Sequence, residues 1–215
     1  MALDPASFDF EGVFSESRLE PFLRHTNDDL AKAKRAYAWN AGIASRYIAR
    51  TGFVEVGLRN ILDESMVALT GFDRWWDASY EDLAPFTQRS VDKTLRQRAF
   101  EGAYPRDRFI AKAEFGLWTS LLHQSNAENF TQLANHAFGM KRGHMYDVMD
   151  RVRRLRNRAA HHVCLLGDDH LANQALINRA LDYIDKDLAV FVAQADDLER
   201  LLQSYDSFLA GNCHL

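Results

Sequence analysis

The chain has 215 residues, of which 47% are hydrophobic and 26% are charged. A chain of this length buries roughly 70% of the surface that its unfolded form exposes, and this composition excludes a largely disordered or collagen-like protein. The formal net charge of −4 excludes a uniformly basic nucleic-acid-binding protein but leaves room for a local basic surface.

The cysteines and the N-terminus predict the compartment. The two cysteines, Cys164 and Cys213, are too few for a disulfide framework, as is typical of proteins in a reducing compartment. The N-terminal sequence MALDPASFDFEGVF carries acids where a secretory signal peptide has a basic segment. The longest strongly apolar stretch, around residues 116–122, is shorter than a membrane span. We therefore expect a soluble cytoplasmic protein that does not bind membranes.

The first predicted element is a long helix from Leu30 to about Leu69, because apolar residues recur there at three- and four-residue steps. Thr26 or Asn27 is the expected cap. The pattern fits either one continuous helix or two helices hinged near residues 51–52, where a glycine weakens the interior. A connection anchored by two tryptophans is predicted to follow.

The rest of the chain also has helical periodicity, with no internal repeat and no linker. The sequence therefore predicts an all-α protein with a single domain over residues 1–215. The helices expected in this part cover about 87–100, 107–122, 126–138 with Gly139 at its end, a strong helix from Gly143 onward, and about 170–209 with a break near Lys186.

One segment is strongly basic. Seven Lys or Arg residues and two acids lie between Lys141 and His162, which includes the run DRVRRLRNRAAHH at 150–162. Helical steps of three and four place Arg151, Arg154 and Arg158 on one side. This asymmetry suggests an anionic partner, with phosphate the best candidate because arginine forks match its oxygens; with RNA as that partner, these three are the predicted RNA-binding residues. The alternative is an ordinary solvated charged face.

Two histidines, His161 and His162, follow that run. An imidazole beside guanidinium groups suits phosphodiester cleavage, since it exchanges protons near neutral pH beside fixed positive charge. RNA supplies its own nucleophile, the 2′-hydroxyl, so no metal or cofactor is required. The alternative is a histidine pair that bonds the last carbonyls of a helix. His161, His162 and the acids near His170 match no known metal-ligand spacing, so no metal site is predicted.

The residues from Arg156 to His161 resemble the Arg-x4-His signature of the HEPN superfamily of helical ribonucleases. The sequence LRNRAAHH at 155–162 is similar to the form found in its Abi-like (abortive infection) branch. The likeness covers about 30–165, in which three further blocks match: AWN at 38–40, EVGLRN at 55–60 and FGLWTSLL at 115–122. The resemblance implies one HEPN-like helical bundle with additional N- and C-terminal helices, the latter over about 170–209.

The resemblance also implies a metal-independent endoribonuclease of toxin–antitoxin or phage-defence systems. In such an enzyme Arg156 holds the scissile phosphate, His161 transfers a proton and Asn157 orients one of them. The product carries a 2′,3′-cyclic phosphate. HEPN nucleases generally join two signatures across a dimer, and this chain contains one. A homodimer is therefore implied, and an antitoxin or regulatory partner is possible.

Geometry limits how the signature works. In one continuous helix, residues 156 and 161 lie about 140° apart. The helix must therefore end or distort near His161, or a second subunit must complete the pair. His162 lies four residues after Arg158, so helical spacing favours that pair, whereas the resemblance favours His161 as catalytic and His162 as a supporting residue.

Two of the matching blocks contain further candidate residues. Glu55, Arg59 and Asn60 are implied to orient the signature residues, although Glu55 and Arg59 also have the spacing of a surface ion pair. Trp39 and Asn40 of the AWN block are expected to contribute core packing and a hydrogen bond between helices.

Two alternatives remain. One is a non-catalytic HEPN-like module that binds RNA or a nucleotide through the arginine helix. The other is a helical interaction protein whose basic stripe docks an acidic partner such as an antitoxin.

A toxic enzyme must also be restrained, either by a separate antitoxin or by the acidic C-terminal region lying against the arginines. That region is also apolar on one face and fits simple packing. Its acids are Asp182, Asp185, Asp187, Asp196, Asp197 and Glu199.

Overall fold

The computed structural model describes residues 9–96, 105–127 and 130–212. These residues form α-helices joined by turns, with 3-10 conformation at Tyr80–Asp82, and no strand. The prediction of an all-α fold is confirmed. The helices are α1 (Phe10–Phe14), α2 (Glu16–His25), α3 (Leu30–Thr70), α4 (Trp75–Ala78), α5 (Pro85–Arg96), α6 (Arg106–Lys112), α7 (Phe115–Leu121), α8 (Thr131–Phe138), α9 (Arg142–Ala160), α10 (His170–Ile184), α11 (Leu188–Ala195), α12 (Leu198–Gln203) and α13 (Tyr205–Leu209).

The chain divides into two compact units, each built from separate stretches of sequence. The first unit comprises Met1–Arg50, Leu155–Ala175 and Val190–Leu215, and the second comprises Thr51–Arg154 and Leu176–Ala189. The prediction of one domain over residues 1–215 stays a prediction. None of the helices in the described ranges is long and apolar enough to cross a membrane.

Helix α3 is continuous through residues 51–52, so the hinged alternative is wrong. A Cβ added at Gly52 would meet no atom within 4 Å, and packing therefore does not require a glycine there. The predicted caps are also wrong. Asp29 caps the helix instead, because its Oδ1 accepts from the Lys32 amide at 3.0 Å, whereas the Thr26 hydroxyl donates to the carbonyl of Phe22 in α2.

The helix predicted over 107–122 is wrong as a single element. Ala113 and Glu114 have extended backbone, with ψ angles of 126° and 156°, and separate α6 from α7. The apolar spacing continues across this break, so the sequence pattern gives no sign of it. Helix α5 is described to Arg96, and its predicted end at 100 lies outside the described residues.

Two other predicted boundaries are confirmed. Gly139 ends α8 with a φ of 64°, in the left-handed region that glycine adopts most readily. The break near Lys186 separates α10 from α11. Helix α8 nevertheless begins at Thr131 rather than 126.

The core of the first unit places the segment that follows α9. Phe10 and Phe22 pack against Tyr37 of α3, with ring centroids 5.0 and 5.1 Å from the tyrosine ring. Cys164 and Leu166 lie half-buried against the same cluster. The chain beyond α9 is therefore anchored on the core of its own unit.

The second unit has an aromatic core. Trp75 and Trp76 are fully buried, which confirms their predicted anchoring role, and Trp76 stacks on Phe109 with centroids 3.9 Å apart. The buried Asp63 carboxylate accepts from Trp75 Nε1 at 2.8 Å and from Arg106 Nε at 2.9 Å. These bonds satisfy a charge that would otherwise be costly to bury.

Candidate active site at the end of helix α9

The signature histidine lies just beyond a helix end. Helix α9 ends at Ala160, and His161 is the first residue of the segment 161–169 that leads to α10, here called the histidine loop. This confirms the expectation that the helix ends near His161. The 140° separation of a continuous helix therefore does not apply to His161.

The helix ends in a Schellman motif. The Val163 amide donates to the Arg158 carbonyl and the His162 amide to the Ala159 carbonyl, both at 3.0 Å. His162 occupies the left-handed position of this motif with a φ of 53°, a conformation that costs most residues free energy but not glycine. His162 thus carries backbone strain at an exposed position.

We expect His162→Gly to raise the free energy of unfolding by about 1 kcal/mol, because glycine adopts this conformation without the steric cost. Chemical denaturation measures the change. The reciprocal control is Gly139→Ala, which should lower stability by a similar amount, because it places an L residue at a φ of 64°. An unchanged or lower stability of His162→Gly would contradict the strain.

Arg18 of α2 holds the turn that carries both histidines. Its Nη1 donates to the carbonyl of His161 at 3.0 Å and to that of His162 at 3.2 Å. Both histidine residues are exposed. Their carbonyls are therefore bonded while both residues stay open to solvent. No sequence signal pointed to Arg18, which lies in an ordinary amphipathic segment 143 positions before His161.

Asn40 of α3 holds the next part of the histidine loop. The residue is 2% exposed, its Nδ2 donates to the Val163 carbonyl at 3.2 Å, and its Oδ1 accepts from the Leu165 amide at 2.8 Å. The expected bond between helices is therefore wrong for Asn40. It is confirmed for Trp39, whose Nε1 donates to the Leu201 carbonyl of α12 at 3.0 Å.

Arg158 closes the histidine loop on Asp168. Its two terminal nitrogens donate to the two Asp168 oxygens at 2.8 and 2.6 Å, and Asn173 Nδ2 donates to the same carboxylate at 3.1 Å. Arg158 is thus paired with an acid within its own unit. Its predicted role in RNA binding stays a prediction, whereas its contact with the loop is a feature that the sequence did not indicate.

Two of the three signature side chains are in contact. Arg156 Nη1 donates to Asn157 Oδ1 at 3.4 Å, whereas the 3.0 Å bond from the His161 amide to the Asn157 carbonyl is an ordinary helical backbone bond. Arg156 and Asn157 are half-buried, and His161 is exposed. The structure therefore brings a partly shielded guanidinium, an amide that contacts it and an open imidazole to the end of one helix.

The other predicted RNA-binding arginines belong to the second unit. Arg151 is exposed, and Arg154 Nε donates to Asp150 Oδ2 at 2.7 Å. Burial alone would raise the pKa of Asp150, but hydrogen bonds from Arg153 and Arg154 outweigh it and lower that pKa. Asp150 therefore stays ionised and offsets part of the positive charge of α9.

The three implied orienting residues of α3 also lie in the second unit. Glu55 and Arg59 are half-buried and Asn60 is exposed. The Nε of Arg59 is buried and has no hydrogen-bond partner. Their implied action on the signature stays a prediction.

Two acids of the C-terminal region have partners of their own. Asp196 accepts from Arg50, and Asp197 accepts from Arg46 Nε at 2.9 Å. The Arg46 and Arg200 guanidinium groups lower the pKa of Asp197 to about 2. These two carboxylates are thus engaged by arginines outside α9, which removes them from the predicted restraint.

His170, the first residue of α10, is a titratable group within the first unit. Its Nδ1 lies 2.7 Å from the hydroxyl of Tyr47, and its Nε2 is buried without a partner. Burial lowers the pKa of His170 below its usual 6.5, although Asp168 and Asp169 oppose the shift. The folded state therefore favours the neutral imidazole.

This lowered pKa predicts a pH dependence. The unfolded chain binds a proton on His170 more readily than the folded chain does. The contribution of neutral His170 to the free energy of unfolding is therefore complete above about pH 6.5 and is lost as the pH falls below that value. Denaturation at pH 5.5 and 7.5 should show a smaller loss of stability in His170→Asn than in the native protein. The Asn amide can replace Nδ1 toward Tyr47. Equal losses would contradict the assignment.

No three His, Cys, Asp or Glu side chains converge as metal ligands would in the described ranges. Comparison of the chain with protein-family models gives no match, and comparisons with curated proteins and with solved structures give none either. Function is therefore inferred from the geometry of the site and from the resemblance of its signature residues.

Proposed function

We propose that this protein is a metal-independent endoribonuclease whose catalytic residues are Arg156, Asn157 and His161. The observation that carries the proposal is the placement of these residues at the open end of α9, where Arg156 contacts Asn157 Oδ1 and His161 is exposed with its carbonyl bonded to Arg18. A surface that binds phosphate only through its positive charge does not require a histidine at that position.

The chemistry follows from the types of group present. The 2′-hydroxyl of a nucleotide attacks the adjacent phosphorus, the new P–O2′ bond forms, and the P–O5′ bond breaks. His161 exchanges a proton with the attacking or the leaving oxygen, and Arg156 stabilises the negative charge on the non-bridging oxygens. Asn157 holds the Arg156 guanidinium. The products are a 2′,3′-cyclic phosphate and a 5′-hydroxyl, and no cofactor takes part.

The reaction needs two proton transfers, one from the nucleophile and one to the leaving group. A homodimer would supply two signatures, and the proposal therefore includes a second copy of the chain. Arg151, Arg154 and Arg158 would bind the RNA backbone, and Glu55, Arg59, Asn60 and His162 would support the catalytic groups. A role as a toxin or phage-defence effector in the cytoplasm, restrained by an antitoxin, is proposed on the resemblance alone.

A modified substrate tests the proposal. An RNA oligonucleotide that the protein cuts in EDTA at one position is prepared again with a 2′-deoxy nucleotide at that position. We expect cleavage there to stop while neighbouring sites are still cut, because the nucleophile has been removed. Continued cleavage at the deoxy position would contradict 2′-hydroxyl attack.

If the native protein cuts no RNA, the alternative function applies, in which the same protein is a non-catalytic RNA-binding module. That alternative predicts RNA binding that weakens steeply with salt, since each phosphate contact releases counterions. It also predicts binding that survives the loss of His161.

A further inference from the structure

We propose that Asn40 is a positioning residue that keeps His161 in its reactive place by holding the histidine loop. The kinetic part of this inference rests on the proposed ribonuclease function. Its structural part, the placement of His161 by a side chain in another helix, does not depend on that activity.

The position of Asn40 is unusual for its residue type. It lies inside the continuous helix α3, where asparagine is a poor helix former, and it is 2% exposed. Burying an amide is unfavourable unless its groups find hydrogen-bond partners. Both amide atoms of Asn40 are bonded to the backbone of the histidine loop, one to Val163 and one to Leu165. Both hydrogen-bonding groups of this buried amide therefore hold the histidine loop.

Asn40 is the most shielded of the side chains that hold the loop. Arg18 is exposed where it contacts the His161 and His162 carbonyls, and the Arg158 side chain is 43% exposed in its ion pair with Asp168. Solvent-exposed polar contacts of this kind contribute little to stability, because water competes with them and screens their charges. A buried amide that loses a partner leaves a polar group unsatisfied and is more costly. Asn40 should thus determine the loop conformation.

The contacts lie directly beside the catalytic histidine. Only His162 separates His161 from Val163, whose carbonyl Asn40 binds, and His162 is in a strained left-handed conformation. If the bond to the Val163 carbonyl is lost, less binding free energy offsets the backbone strain at His162. We then expect the turn that places His161 to change its conformation. A displacement of a catalytic group by about 1 Å can reduce a rate by about 10²-fold.

The test replaces Asn40 by aspartate. An aspartate retains the acceptor for the Leu165 amide, but its carboxylate cannot donate to the Val163 carbonyl. The matched control is Asn126→Asp in the second unit. Asn126 is 4% exposed, its Nδ2 donates to the Ser120 carbonyl at 2.7 Å, and its Oδ1 accepts from the Ala84 amide at 2.9 Å. Both variants should lose stability, so stability alone does not distinguish them.

Two measurements distinguish them. The first is the split between kcat and KM for RNA cleavage: Asn40→Asp should lower kcat by about 10²-fold with little change in KM, since the arginines remain. The second is the NMR signal of the His161 imidazole, identified from its absence in His161→Gln. We expect Asn40→Asp to shift this signal and Asn126→Asp to leave both measurements close to native.

Each result has a definite meaning. Equal effects of the two variants on kcat and on the His161 signal, or no effect of Asn40→Asp on either, would overturn the inference. If the native protein does not cleave RNA, the proposed function fails, and the NMR comparison still decides whether Asn40 positions His161. If Asn40→Asp does not fold, Asn40→Ser takes its place; its shorter, uncharged side chain does not reach the two loop groups, and the same two measurements decide.

Discussion

His161→Ala should reduce RNA cleavage by about 10²–10⁴-fold, the usual contribution of a general acid or base. The side chain belongs to an exposed residue, and its removal opens no buried cavity, so the fold and the affinity for RNA should change little. The measurement is the single-turnover rate on a defined RNA oligonucleotide at saturating protein, because this rate reports chemistry separately from binding.

The neighbouring histidine provides the matched control. His162→Gly relieves backbone strain and removes a second imidazole at the same helix end; because His162 has a supporting role only, this variant should lose far less activity than His161→Ala. The opposite ranking, with His162→Gly inactive and His161→Ala active, would move the catalytic role to His162. It would then favour the helical spacing with Arg158 over the Arg-x4-His pattern.

Arg156→Lys should lower the single-turnover rate by about 10²–10³-fold, the cost typical of losing one stabilising group for a developing oxyanion. Lysine keeps the positive charge but lacks the planar fork that binds two phosphate oxygens together. Arg156 is half-buried and contacts Asn157 Oδ1, so its guanidinium is held in place before RNA binds. We therefore expect the positive charge of lysine alone to stabilise the transition state less than the arginine guanidinium does.

Arg151→Lys is the control for Arg156→Lys. Arg151 is exposed on the same helix, and as a phosphate-binding cation it should tolerate lysine with a small change in RNA affinity and no change in the rate of chemistry. Equal losses of rate in the two variants would indicate that both arginines only bind the RNA backbone.

Much of the fold could be predicted from apolar spacing. The helical period identified α3 and α9, and glycine identified the end of α8. The errors arose where the apolar spacing or the side-chain type does not determine the local backbone conformation. Ala113 interrupts a helix without interrupting the apolar pattern, and Asp29 caps α3 although Thr26 and Asn27 stand before it with equally suitable side chains.

The candidate site was predictable in part. Arg156, Asn157 and His161 could be found because they lie within six consecutive positions and form a known pattern. The side chains that hold the histidine loop could not be found in this way. Arg18 and Asn40 reach it from 143 and 123 positions earlier, and no periodicity relates residues so far apart. The position of Asp168 opposite Arg158 depends on how the loop folds back, which spacing alone does not give.

The most direct test of the central claim is the cleavage of a mixed cellular RNA pool in EDTA by the native protein and by His161→Ala, purified side by side. We predict that the native protein leaves 2′,3′-cyclic phosphate ends and that this cleavage disappears in the variant. Equal cleavage by both preparations would show that the activity belongs to a contaminant or to another site, and would contradict a catalytic His161.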